Sequence, residues 1–184
     1  MKLKKLNAIL GIAIIAALLC HAGTMTYSLI THWYNFTVCK YFAHLAETIM
    51  FLHVLISICI FFFSSDGSSL LRYPRRNIST IVQRASAVLI IVLVHMHISN
   101  YAHMATGETL TPAEALFNCL IECVYILSVF AHTAVSFSKA LVTLGLVRSV
   151  RASVRLERIV YAVCAVLAAA AVFAVIRFFI GDII

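Results

Sequence analysis

Five apolar stretches, at approximately 7 to 31, 42 to 64, 79 to 101, 114 to 138 and 158 to 180, are separated by short segments that hold most of the charge. Each is long enough to cross a hydrocarbon core of about 30 Å, which takes about 20 helical residues. Only helices satisfy their own backbone groups in that setting, since a closed barrel needs short strands of alternating polarity and the sequence has none. The expected fold is all-α: one membrane domain over residues 1–184, a bundle of five transmembrane helices. Breakers fall between the stretches. Ser64-Ser65-Asp66-Gly67-Ser68-Ser69 and Tyr73-Pro74-Arg75-Arg76-Asn77 separate the second from the third, and Gly107 and Thr111-Pro112 precede the fourth. The opening Met-Lys-Leu-Lys-Lys imitates a signal peptide, and Leu18-Leu19-Cys20 imitates a lipoprotein cleavage site. The residue before Cys20 is leucine, however, and the apolar stretch continues to Ile30, so the first helix is expected to stay.

The charge between the stretches predicts an orientation. Lys2, Lys4 and Lys5, then Arg72, Arg75, Arg76 and Arg84, then Lys139, Arg148, Arg151, Arg155 and Arg158 fall on one side, with Lys40 and Arg177 on the other. By the positive-inside rule the N-terminus is cytoplasmic and the C-terminus outside, as for a multi-pass protein of a bacterial inner membrane. Trp33, Tyr34, Tyr41 and Tyr101 then fall near the outer interface, where amphipathic rings are favoured. Composition agrees: 63% of residues are hydrophobic and 11% charged, with a mean hydropathy of +1.03, against about 25% charged in soluble domains. The net charge of +7 forms no stripe or arm, so nucleic acid is not an expected partner. No P-loop, GxGxxG or triad pattern is present. The six cysteines show no CxxC pair and read as small packing residues, including Cys119 and Cys123 at i, i+4.

Eight histidines in so apolar a chain need a physical reason, because a polar group in a membrane helix is costly unless it faces the interior with a partner. His32, His44 and His103 lie near the outer boundary, within reach of water. His21, His53, His132 and one of His95 and His97 lie deeper. At 1.5 Å per residue, His21 stands roughly 22 Å and His97 roughly 27 Å from the inner face, whereas His53 and His132 stand roughly 16 Å and 9 Å from it. Four helices thus offer two pairs at two levels, His21 with His97 outside and His53 with His132 inside. Each pair is suited to clamp a haem iron between neutral imidazoles. The alternative is four core histidines bonded to Ser or Thr across helices. His95 and His97 point about 200° apart, so one of them is a ligand and the other is its alternate. Ser128, His132, Ser136 and Lys139 form a polar stripe on the fourth helix, along which Lys139 is placed to meet a haem propionate. Gly11, Gly23 and Thr24 on the first helix are small enough to let a bulky ring approach.

Two further spacings bear on identity. Gln83-Arg84-Ala85-Ser86 leads to His97 fourteen residues after Gln83, and Asn7 stands fourteen residues before His21. The segment His132-Thr133-Ala134-Val135-Ser136-Phe137-Ser138-Lys139 is followed by Leu144-Gly145-Leu146, the basic stretch Arg151 to Arg158, and a final span without a ligand. In these features the chain resembles the cytochrome b membrane-anchor subunit of the succinate dehydrogenase and fumarate reductase family, in its single-chain, five-helix, dihaem form. The resemblance implies two haem b groups, one on His21 and His97 and the other on His53 and His132. It also implies a FAD-containing flavoprotein and an iron-sulfur subunit docked on the cytoplasmic face, with menaquinone or another quinone reacting near the outer haem. Such a subunit is not catalytic for the dicarboxylate on its own. Phe130 departs from the family, which can carry a glutamate at this point of a transmembrane proton path.

Glu47, Glu122 and His44 are the candidates for a quinone site; either carboxyl could instead be protonated or bonded to a neighbouring helix. Arg84 could meet a propionate or snorkel to headgroups. Other readings of the chain are a cytochrome b subunit of a hydrogenase or formate dehydrogenase type enzyme, and a transporter or assembly protein without haem.

Overall fold

The computed structural model describes residues 2–63, 74–106 and 109–181, and the side chains of all of these except 61, 63, 74–77 and 101–106. The breaker segment 64–69, Arg72, Tyr73 and Gly107 therefore lie outside the described residues. So do the side chains of Arg75, Arg76, Asn77, Tyr101 and His103. Five helices make up the fold: α1 (Lys2–Thr31), α2 (Phe36–Phe63), α3 (Pro74–Thr106), α4 (Pro112–Thr143) and α5 (Val150–Ile180). All five are long and apolar enough to span a membrane.

Most helices outrun their apolar stretches. α3 begins at Pro74 rather than 79, α4 continues to Thr143 rather than 138, and α5 begins at Val150 rather than 158. The apolar stretch measures the hydrocarbon core alone, whereas the helical hydrogen-bond ladder continues through headgroup regions that bring the bilayer to about 40–45 Å. The polarity of the bundle is that of a membrane protein. Phe51, Phe62, Val166 and Phe173 face outward, while Ser86, Asn100, Glu122, Ser128 and Ser138 are buried. Where lipid is the solvent, large apolar groups gain nothing by turning inward, and polar groups must find their partners inside.

The contacts define an open arrangement. α1 packs on α2, α4 and α5, and α4 packs on α1, α3 and α5. Among the described residues the backbone of α2 packs on α1 alone and that of α3 on α4 alone. Two antiparallel hairpins, α1–α2 and α3–α4, thus meet along α1 and α4, with α5 braced behind the junction. α5 achieves this through small residues at helical spacing, since Cys164, Ala168, Ala171 and Ala174 are all buried and let the backbones approach. At one end Leu29, Cys119, Ala174, Val175 and Phe179 form the closest-packed cluster, with Cys123 against it. The end carrying Lys2, Lys139 and Arg148 is termed the basic end.

Local chemistry fixes the helix ends. Thr111 is the N-cap of α4 with Pro112 in the first turn, and it forms a reciprocal capping box with Glu114; the Thr111 N–H donates to Glu114 Oε2 at 2.8 Å. At the other end Leu146 N–H donates to Leu141 O and Gly145 N–H to Val142 O, both at 3.0 Å, the paired bonds of a Schellman stop. Gly145 adopts φ 79° there, a conformation in which a Cβ meets the following carbonyl. His32 takes φ 56° in the short turn between α1 and α2. Gly145→Ala and Thr111→Ala are each expected to cost about 1 kcal/mol, to be read as lowered midpoints of thermal unfolding in detergent.

Candidate functional site

A cavity of about 2550 Å³ runs between the two hairpins and is lined by His21, His53, His97 and His132. Ordinary ligand pockets occupy about 300–1,000 Å³, so this space runs through much of the bundle rather than forming one compact pocket. Its walls are mostly apolar, and besides the four imidazoles its polar lining includes Lys4, Arg84 and Lys139 toward the basic end and Lys40, His44 and Glu47 toward the other.

At the level farther from the basic end, His21 on α1 and His97 on α3 face one another with ring centres 6.1 Å apart and planes at 88°. Tyr125 stacks on the other side of His97, with centres 4.7 Å apart and planes at 23°. His97 Nδ1 lies 2.8 Å from Glu122 Oε2, and Asn100 Nδ2 donates to Glu122 Oε1 at 2.9 Å. Glu122 is 6% exposed, so both oxygens of a carboxyl deep in the bundle are engaged. The Cys39 carbonyl faces the His21 ring, while His21 Nδ1 itself is buried with no hydrogen-bond partner among the described residues. Ser136 Oγ, also on the cavity wall, is buried in the same condition.

Nearer the basic end, His53 on α2 and His132 on α4 sit within electrostatic range of each other. Their Nδ1 atoms are held in the same way. His53 Nδ1 donates to the Asn7 carbonyl at 3.2 Å, and His132 Nδ1 donates to the Gln83 carbonyl at 3.0 Å, with Ser86 Oγ at 3.3 Å. A carbonyl only accepts, so the proton is on Nδ1 and the Nε2 lone pair is the one left to bind something else. Each accepting carbonyl belongs to a helix and already receives an N–H from four residues on, so the ring must reach the second lone pair. Residue sizes allow it. The residue four on from Asn7 is Gly11, where a Cβ would come 3.6 Å from His53 Cε1; four on from Gln83 is Ala87.

This gives the fourteen-residue spacings a meaning that the sequence alone did not reveal. Asn7 and Gln83 do not serve the histidines that follow them on their own helices. Each reaches across its hairpin to the histidine of the second helix, over sequence separations of 46 and 49 residues. The side chains of both are engaged too: Asn7 Nδ2 donates to Ser57 Oγ at 3.1 Å, and Lys139 Nζ donates to Gln83 Oε1 at 3.0 Å. The two hairpins therefore hold their inner histidines in the same way, although no repeat is visible in the sequence. The signal available beforehand was the recurrence of a polar residue at the same distance before each outer histidine.

Other candidates fall as follows. His95 is exposed and does not line the cavity, whereas His97 does. Gly11 opens onto His53 rather than His21, and Gly23 is exposed with nothing within 4 Å of a Cβ, so neither makes room at His21. Thr24 Oγ1 donates back to Cys20 O and His21 O, both at 2.9 Å. His44 and Glu47 are largely exposed, 3.4 Å apart, at a mouth of the cavity that they line with Lys40. Glu122 bonds to α3, one of the two situations foreseen for it. Arg84 and Lys139 line the cavity at its basic end. Among the described residues no three His, Cys, Asp or Glu side chains converge to hold a bare metal ion; the imidazoles come two by two.

No protein-family model, curated protein or solved structure matches this chain, so its chemistry has to be read from this geometry. The close approach at Gly11 yields a test. Gly11→Ala is expected to leave stability equal or raise it by up to about 1 kcal/mol, as helix propensity dictates. Gly11→Leu should lower it by about 1–3 kcal/mol through overpacking against His53, both measured by thermal unfolding in detergent.

Proposed function

We propose that this protein is a dihaem cytochrome b membrane anchor that passes electrons between a quinone and a docked flavoprotein and iron-sulfur oxidoreductase of the succinate dehydrogenase or fumarate reductase type. The observation that carries this reading is the His21–His97 pair, with ring centres 6.1 Å apart across the cavity. Two metal–imidazole bonds of about 2 Å laid end to end, with a ring beyond each nitrogen, need ring centres about 6 Å apart. His21 and His97 would hold one haem b, and His53 and His132 the other.

The donor set fits the group. Metal-bound histidines commonly donate their remaining N–H to a carbonyl or carboxylate, which fixes the tautomer and aims the ring. Three of the four imidazoles have such a partner in Asn7, Gln83 or Glu122. A haem iron, when bound, accepts and releases one electron at a time. The chain's own contribution is to hold neutral imidazoles at two depths, to surround them with apolar wall, and to keep polar groups at the rims. Lys139 and Arg84, at the basic end of the cavity, are suited to haem propionates. His44 and Glu47, at the other mouth, are suited to exchange protons with a quinone such as menaquinone. By the positive-inside rule the basic end is the cytoplasmic face of a bacterial inner membrane, where the flavoprotein and iron-sulfur partners would dock.

A reduced-minus-oxidised spectrum of the purified protein, with haem quantification, tests this. Two haems per chain with b-type bands are expected, one lost or altered in His53→Ala and His132→Ala and the other in His21→Ala and His97→Ala, while His95→Ala leaves both. A preparation without b-type absorption would refute the reading. Copurification of a flavoprotein distinguishes this partner class from hydrogenase or formate dehydrogenase types.

A further inference from the structure

The four candidate ligands do not have equivalent partners. His53 and His132 donate to backbone carbonyls, which are neutral, and Lys139 is bonded to the side chain of the residue that holds His132. His97 instead faces a carboxyl at 2.8 Å, the shortest contact any of the four imidazoles makes. That carboxyl is buried, and its second oxygen is fixed by Asn100 at 2.9 Å, so its geometry is determined from two sides. Tyr125, on the same helix as Glu122, stacks against the His97 ring.

Resting on the dihaem reading, we infer that Glu122 is a positioning residue that sets the potential of the haem held by His21 and His97 below that of the haem held by His53 and His132. The physical basis is the strength of the acceptor. A carboxylate draws the Nδ1 proton more strongly than an amide carbonyl does, which leaves more electron density on Nε2 and makes the imidazole the better donor to an oxidised iron. Charge acts in the same direction. A carboxylate buried beside the outer level favours the more positive oxidation state there, and the Lys139 ammonium, at the basic end near the inner level, favours the less positive one. Both effects make the outer level the harder of the two to reduce. Asn100 keeps the carboxylate oriented, and Cys119 and Cys123, near Glu122 on the same helix, add no opposite charge.

The test is a potentiometric titration of the purified full-length protein with its bound haem, followed at the b-type absorbance bands. Wild type is compared with Glu122→Gln, which keeps an acceptor without the charge, and with Glu122→Asp, which keeps the charge. Two components are expected in wild type. Glu122→Gln should raise the lower by about 59 mV or more, tenfold in the one-electron equilibrium, and leave the upper in place, while Glu122→Asp stays nearer to wild type. Both potentials unchanged in Glu122→Gln, with both haems bound, would overturn the inference and leave the dihaem reading standing. Where Glu122→Gln fails to hold haem, His97→Ala decides: the component it removes or alters must be the lower one, and loss of the upper would overturn the inference. Wild type without haem would remove the dihaem reading itself.

Discussion

The rest of the structure depends on one constraint: a hydrogen-bonding group inside a hydrocarbon layer has no water to turn to, so its partner must be built into the chain. The four interior histidines make this requirement concrete. An imidazole has two nitrogens with different needs, and at three of the four rings one nitrogen is held by a fixed acceptor on the other helix of its own hairpin. Much else follows from supplying those acceptors. Gly11 and Ala87 are small enough to leave a helix carbonyl within reach of an imidazole, Ser86 sits beside His132, and Glu122 and Asn100 make a polar bridge between α3 and α4.

The same constraint explains why so much of the fold could be read from sequence. The apolar stretches reported the number and direction of the helices, because each must cross a layer of fixed thickness. Counting residues along them put His21 and His97 at one depth and His53 and His132 at another, and the rings of the first pair do face each other. Rise per residue is a property of the helix itself, so depth survives the passage from sequence to structure. Rotation about the helix axis is less secure. The sequence left His95 and His97 as alternates, and only packing against α4, through Glu122 and Tyr125, turns His97 inward.

What sequence could not reveal was which helix each small or polar residue serves. Gly11 was expected to make room at its own helix's histidine and instead makes room for His53 on α2. Asn7 and Gln83 were noted for their distance from His21 and His97, yet they hold His53 and His132. These relations run between helices, and no periodicity within one helix encodes them. The helix ends were likewise underestimated, because hydropathy falls at the edge of the hydrocarbon while the hydrogen-bond ladder continues to Thr143 or starts at Val150.

The division of the four histidines between the two hairpins has a consequence for assembly. Each hairpin carries one histidine at each depth, with the carbonyl that orients the inner one, but neither holds two histidines at the same depth. At each depth one ring comes from α1–α2 and one from α3–α4, and the outer two face each other. On the proposed dihaem reading, a lone hairpin would be a half-site at both levels and a whole site at neither. Anything held between opposed imidazoles in this bundle would depend on both hairpins being present and docked along α1 and α4.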